Sequence, residues 1–264
     1  MELEGKVAVI TGASSGIGLA TARLFAREGA VLFLGDVAEE AGRRAAEEIG
    51  AEFVPTDVTS ADAVRRLIDG AVERHGKLDV VFNNAGITMA KPVPETTEEE
   101  FDRIVAINFK GVFLGCKYAL PHLLENPDGG AILNMSSNGG LVGRPGDPVY
   151  SATKHAVMGL TKSLAVTYAH KKIRTNALCP GAINTPMVEG IVASFDDPDE
   201  GLRKVLANSP TPRVASAEEV ARAALFLVSP GNGYVNGVGL AVDGGKAAGV
   251  FNADRYRTDF ELID

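Results

Sequence analysis

Tyr150 and Lys154 stand four positions apart in Tyr150-Ser151-Ala152-Thr153-Lys154, and Ser137 lies upstream in Asn134-Met135-Ser136-Ser137. Residues four apart share one face of a helix, a turn from each other. A phenol titrates near ~10 in water and is by itself a poor proton carrier at neutral pH. An ammonium about 4 Å away, at an effective dielectric of about 20, favours the phenolate by about 4 kcal/mol. That is on the order of three pK units, enough to bring Tyr150 toward the range where acid–base catalysts work. Ser137 can then hold the oxygen of a carbonyl or alcohol while Tyr150 delivers or takes the proton. Taken alone, Tyr-x-x-x-Lys is more often an ordinary helix-surface pair, because such pairs arise by chance, so its meaning depends on what positions it.

The elements around it are those of a nucleotide fold. Residues 6–11 read as a buried parallel strand, β-branched and flanked by polar residues. Gly12-Ala13-Ser14-Ser15-Gly16-Ile17-Gly18 follows at once, and residues 19–28 have helical periodicity ending at Gly29. Strand, Gly-rich turn and helix make a phosphate cradle, because glycines admit a pyrophosphate to the backbone and a helix start supplies free N–H groups. The spacing is Gly-x-x-x-Gly-x-Gly, and a tight turn with no ligand is the plainer alternative. A second strand, 31–35, ends at Asp36, a carboxylate placed to bond both hydroxyls of an adenosine ribose and to repel a 2′-phosphate. Val37 and Ser15 stand where NADP sites usually carry Arg or Lys, so NAD is expected.

The rest alternates in the same way. A helix over 38–49 closes at Gly50, and a strand at 52–54 leads to Asp57-Val58. Ser60 caps a helix ending at His75-Gly76; His75 complements that helix's dipole and receives no catalytic role. A fourth strand, 79–82, ends in Asn83-Asn84-Ala85-Gly86, small residues that let a flat ring lie against the backbone. Thr97-Glu98-Glu99-Glu100 starts a helix that carries Asn108 among apolar neighbours, before Pro121 and the Asn126-Pro127 break. A buried amide needs partners, and a satisfied core Asn is the simplest account. A strand at 132–135 delivers Ser136 and Ser137, and the Tyr150 helix runs on through Tyr168. Residues 172–179 form a sixth strand ending in Pro180-Gly181, 217–228 a last helix, and 238–242 a last strand before Asp243-Gly244-Gly245. The Pro-broken stretch 182–213 has the character of a substrate lid.

Composition excludes other classes. At 264 residues, 45% hydrophobic and 23% charged, with no repeat or low-complexity linker, a single domain over 1–264 is expected. A net charge of -8 disfavours a nucleic-acid or anionic-membrane surface. No secretory signal is evident, and the apolar runs look too short to span a bilayer. Cys116 and Cys179 suit buried thiols in a reducing cytoplasm, and no cluster has metal-ligand spacing.

With these residues in place, residues 6–245 resemble the short-chain dehydrogenase/reductase family. The matching pieces are Thr11 to Gly18, Asn83 to Gly86, Asn108, Ser137, Tyr150 to Lys154, Pro180-Gly181, Thr185 and Val242 to Gly245. The resemblance implies a Rossmann-type, doubly wound, mostly parallel seven-stranded α/β sheet with helices on both faces, and often a homotetramer. It implies that Tyr150 is the general acid–base, that Ser137 orients the substrate oxygen, and that Lys154 lowers the Tyr150 pKa and holds the nicotinamide ribose. Asn108 would fix a water beside Lys154. Asp57 and Val58 would flank the adenine, Asn84, Ala85 and Gly86 the adenosine side, and Ile183 and Thr185 the carboxamide. The departure is at 246–264, longer than the family's usual end.

An NAD-dependent secondary alcohol dehydrogenase or ketone reductase is the leading reading. A 3-oxoacyl-thioester reductase and a non-catalytic NAD-binding scaffold are the alternatives. Asn138, Leu141, Arg144, Asp147, Met187, Ile191 and Phe195, with Met89 opposite, are expected to shape a mostly apolar pocket for a ring or medium alkyl ketone. Phe251, Tyr256 and Phe260 in the tail suggest an oligomer interface.

Overall fold

In the computed structural model, which describes residues 1–207 and 209–250, the apolar runs pair into one parallel sheet. Among the described residues its strands are β1 (Val7–Thr11), β2 (Val31–Asp36), β3 (Glu52–Pro55), β4 (Val80–Asn83), β5 (Gly130–Met135), β6 (Ile173–Pro180) and β7 (Gly239–Val242). Their spatial order is β3-β2-β1-β4-β5-β6-β7, every neighbour parallel. The order reverses between β1 and β4, and a sheet that reverses opens a crevice outside the carboxyl ends of those strands. β1 and β6 are buried along their whole length, as strands covered on both faces must be.

Helices α1 (Gly16–Arg27), α2 (Glu39–Ile49), α3 (Ala61–His75), α4 (Glu98–Val105), α5 (Gly111–Glu125) and α6 (Pro148–Tyr168) follow the strands in alternation. α7 (Pro186–Ala193), α8 (Pro198–Leu206) and α9 (Ala217–Val228) complete the chain. Two apolar layers result. Phe25, Ile10, Leu34 and Phe82 join α1 and α9 to one face, and Val9, Phe33, Leu67, Ile68 and Val112 join α3 and α5 to the other. Local signals set several ends. Thr97 and Glu100 close a reciprocal capping box at the start of α4, and Ser60 Oγ accepts from Ala63 N at 3.3 Å.

Two expectations are corrected. The helix beginning at Glu98 carries Pro121 within it and ends at Glu125, at the Asn126-Pro127 break. It also widens into a π-turn at Ala106–Lys110, where Asn108 sits. By length and composition alone Glu98–Glu125 is apolar enough to cross a membrane, contrary to the reading of short apolar runs. Here that apolarity is used against protein: Val112, Leu114, Cys116, Ala119 and Leu123 are buried with α3 and α6. The stretch 182–213 holds two helices, α7 and α8, which pack on each other through Phe195 against Gly201. Phe251, Tyr256 and Phe260 lie outside the described residues.

Candidate active site

The carboxyl ends of β1, β2, β4, β5 and β6 present the residues singled out by sequence. Gly12 (φ +64°) and Gly16 (φ +53°) occupy backbone conformations that favour glycine. A Cβ on Gly12 would come within 2.8 Å of Ala85 Cα, and one on Gly18 within 2.1 Å of Gly12 O. Asn84 stitches this turn to β4, with Nδ2 donating to Thr11 O and Gly12 O at 2.9 Å each. Thr11 Oγ1 accepts from the backbone N–H of Asn84 and Ala85 at 3.1 and 3.2 Å. The Asn84 side chain therefore builds the cradle from beneath.

Asp36 stands at the end of β2 as expected. Its Oδ2 accepts from Ser14 N at 3.0 Å and Ser14 Oγ at 2.7 Å, and its Oδ1 from Ala38 N at 3.0 Å. Val37 beside it is 69% exposed, so no cation flanks the carboxylate there. Asp57 lies exposed, capping Thr59 with Oδ1, while Val58 is buried against Gly111. Thr185 caps α7 with its methyl group over Gly16, and Gly181 N donates to Val242 O at 3.0 Å beyond Pro180. Ile183 is 3% exposed: it pairs with Ala215 and packs into the core. A carboxylate at the strand end, glycines under the turn and the α1 N-terminus fit a nicotinamide dinucleotide.

Ser137, Tyr150, Lys154 and Asn108 are brought together at the end of β5 and the first turns of α6. Ser137 is buried, with Oγ accepting from Gly139 N at 3.1 Å and donating to Asn138 Oδ1 at 3.2 Å. Lys154 is 3% exposed, lies over the Tyr150 ring at 5.6 Å from its centre, and donates from Nζ to Met135 O at 3.0 Å. Burial pushes its pKa down to about 8, with Cys179 opposing. The Tyr150 pKa is raised, chiefly by burial, against the Ser137 hydroxyl and the Arg144 guanidinium, which lower it. The expectation that Lys154 brings the phenol down is thus corrected. At this separation the buried ammonium does not overcome loss of water around the phenol.

The Asn108 amide, which the resemblance assigns to a water, is engaged by protein. Its Oδ1 accepts from Ile87 N at 2.8 Å, and Nδ2 donates to Ile87 O at 2.9 Å and Thr153 Oγ1 at 3.4 Å. Thr153 Oγ1 in turn donates to Tyr150 O at 2.7 Å. The π-turn puts this amide where it pins the strap after β4 to the Tyr150 helix. Beneath the site, Asn83 Nδ2 donates to Asn134 Oδ1 at 2.9 Å, and Asn134 Nδ2 donates to Thr161 Oγ1 at 3.0 Å. Sequence reading passed over Thr153, Thr161 and Asn134; the visible signal was polar residues at buried strand and helix positions. Both thiols are buried and free, their pKa values pushed up to about 12 (Cys116) and about 11 (Cys179).

The pocket residues divide. Arg144 and Asp147 stand beside Tyr150, whereas Leu141 packs on Met158, Ala177 and Cys179, and Phe195 on Gly201. Met187 is 41% exposed on α7.

A family model described as enoyl-(acyl carrier protein) reductase matches residues 12–247. The cis-4-hydroxycyclohexanecarboxylate dehydrogenase of Sinomonas cyclohexanicum is 45% identical over 248 residues, covering 92% of this chain and 97% of its own. The cyclopentanol dehydrogenase of Comamonas sp. (strain NCIMB 9872) is 41% identical over 248 residues, with the same two coverages. The crystal structure of 3-ketoacyl-(acyl-carrier-protein) reductase from Brucella melitensis complexed with NADH aligns with a TM-score of 0.85 at 38% identity. It covers 93% of this chain and 99% of that one.

Proposed function

Since the chain belongs to the short-chain dehydrogenase/reductase family and is an oxidoreductase, we propose that it moves a hydride between NAD(H) and a cyclic secondary alcohol or its ketone. The observation that carries this reading is the grouping of Ser137, Tyr150 and Lys154 at the end of β5, beside a crevice whose far wall ends in Asp36. The printed names of the two curated relatives, each acting on a ring alcohol, support the cyclic class.

The nicotinamide supplies or accepts the hydride when bound. Gly12 to Gly18 and the α1 N-terminus would hold its pyrophosphate, and Asp36 the adenosine ribose. Lys154 would hold the nicotinamide ribose. Ser137 holds the substrate oxygen by its hydroxyl. Tyr150 protonates that oxygen as the ketone becomes an alcohol, and removes the proton in the reverse direction. Burial keeps the resting phenol protonated, the form that ketone reduction requires. Lys154 faces the ring, so its charge favours the phenolate as the proton leaves. Asn108, acting through Ile87 and Thr153, keeps the two walls of the site at a fixed separation.

NAD is favoured because Asp36 and Val37 leave no cation for a 2′-phosphate. The reading includes a cytoplasmic setting, which two buried free thiols suit. It also includes a homo-oligomer, supported by the apolar face of Phe113, Leu120, Leu124 and Leu164 on α5 and α6. Reduction of 3-oxoacyl thioesters is the second reading, favoured by the likeness to the Brucella melitensis structure. Purified protein offered cyclic ketones and a 3-oxoacyl thioester, with NADH and NADPH followed by absorbance, separates them. Turnover of the thioester with NADPH, and of no cyclic ketone with NADH, would overturn the first.

A further inference from the structure

Arg144 enters the site from the loop between β5 and α6 and has no task in the proton transfer described above. Its stem lies over Gly139: a Cβ there would stand 2.9 Å from Arg144 Cδ and 3.6 Å from Ser137 Oγ. Its Cζ is 5.9 Å from the centre of the Tyr150 ring. Nη2 is 3.1 Å from Asp147 Oδ2, and Asp147 is 4% exposed and also accepts from Ser151 Oγ at 3.2 Å. The buried carboxylate therefore fixes the guanidinium beside the phenol instead of leaving it to sweep through solvent. A guanidinium carries five N–H donors, and Asp147 is its ion-pair partner among the described residues. The side chain remains 38% exposed, so its other donors are not closed off by protein.

A second cation interacts with the same charges. Lys246, half-buried after β7, lies within electrostatic reach of Arg144, Asp147 and Asp243, and its ammonium makes no ion pair among the described residues. Asp243 is engaged elsewhere, accepting from Gly245 N at 3.0 Å and Ala247 N at 2.7 Å. Burial and the Arg144 charge both disfavour the ammonium, so an added anion would relieve both cations.

We infer that the substrate carries a carboxylate, gripped by Arg144 beside the oxygen that Ser137 and Tyr150 handle, with the Lys246 charge favouring the same anion. A planar fork matches a carboxylate by two parallel N–H···O bonds, and a site that already contains Asp147 suits one added negative charge better than a dianion. The inference rests on the alcohol–ketone reading above and names the substrate class of that site.

Calorimetry on the NAD-loaded enzyme, with cyclohexanecarboxylate against the neutral cyclohexanecarboxamide, tests it without turnover. The acid is expected to bind at least about tenfold more tightly. That preference should collapse in Arg144→Gln, fall partly in Arg144→Lys, which keeps the charge but loses the fork, and weaken in Lys246→Gln. In assays, the ratio of kcat/KM for 4-oxocyclohexanecarboxylate over its amide should fall by about the same factor in Arg144→Gln. Equal binding of acid and amide by the wild type overturns the inference, and that comparison needs no variant to fold. So does an acid preference that survives Arg144→Gln. If the acid binds through Arg144 and no ketone is reduced, the alcohol–ketone reading fails while the carboxylate site stands.

Discussion

The Lys154 ammonium lies 5.6 Å from the centre of the Tyr150 ring and gives its hydrogen bond to the Met135 carbonyl, at 3.0 Å. The charge is therefore held beside the phenol by a third group, inside a region that excludes water. Such a charge is costly to the fold. With a folded pKa near 8 and an ordinary lysine value of 10.5, both states carry the proton below about pH 8 and the full cost is felt there. Between those values the unfolded chain binds more protons, so stability rises with pH; above about 10.5 the cost is gone. Lys154→Met is expected to raise the melting temperature of the ligand-free protein at pH 7, by roughly 3 kcal/mol of stability. The gap should close as the pH is taken toward 10. Identical melting of the two proteins at pH 7 would contradict a buried charge.

Tyr150→Phe is expected to keep the fold and NAD binding and to lose the proton-transfer step, worth roughly 10²–10⁴ in turnover. Ser137→Ala should lower kcat/KM with less effect on NAD affinity, since the proposed role of Ser137 is toward the substrate oxygen and not the dinucleotide. Circular dichroism and NAD titration separate these outcomes from misfolding. Near-normal turnover in Tyr150→Phe would falsify its assignment as the acid–base and revive the scaffold reading.

Asp36→Ala with Val37→Arg should weaken NAD use and admit NADP, because a guanidinium replaces a repelling carboxylate. Some loss of order in the turn is expected as well, since Asp36 also holds Ser14 by two hydrogen bonds. Kinetics with both dinucleotides decide the matter. A wild type that uses NADPH as readily as NADH sinks the proposed role of Asp36.

Arg174 is 9% exposed and donates to the carbonyls of Leu227, Val228, Ser229 and Val235, at 2.6 to 3.2 Å. It thereby ties the C-terminal end of α9 to β6. Arg174→Met leaves buried carbonyls without a donor and is expected to cost about 3 kcal/mol. The effect should appear as a lower denaturant midpoint with an unchanged slope.

Much of the site was legible because its pieces are local. The Gly12 to Gly18 turn after β1, Asp36 at the end of the next strand, and Ser137 after an apolar run each mark a strand's carboxyl end. A parallel sheet sends every such end to the same edge. The strand and helix bounds at 31–36, 52–55 and 217–228 came within a residue or so for the same reason. Pro121 is carried inside α5, where packing in the core outweighs one missing backbone donor.

Sequence by itself determined the order of the elements, the residues at their carboxyl ends and the kind of chemistry those residues perform. These depend on periodicity, turn residues and side-chain type. Tertiary structure alone decided how that chemistry is tuned. It set the Lys154 hydrogen bond on Met135 and turned the Asn84 and Asn108 amides inward to Gly12 and Ile87. It also held Arg144 on Asp147 beside the phenol. Burial sets those terms, and burial is fixed only when segments far apart in the chain close over one another.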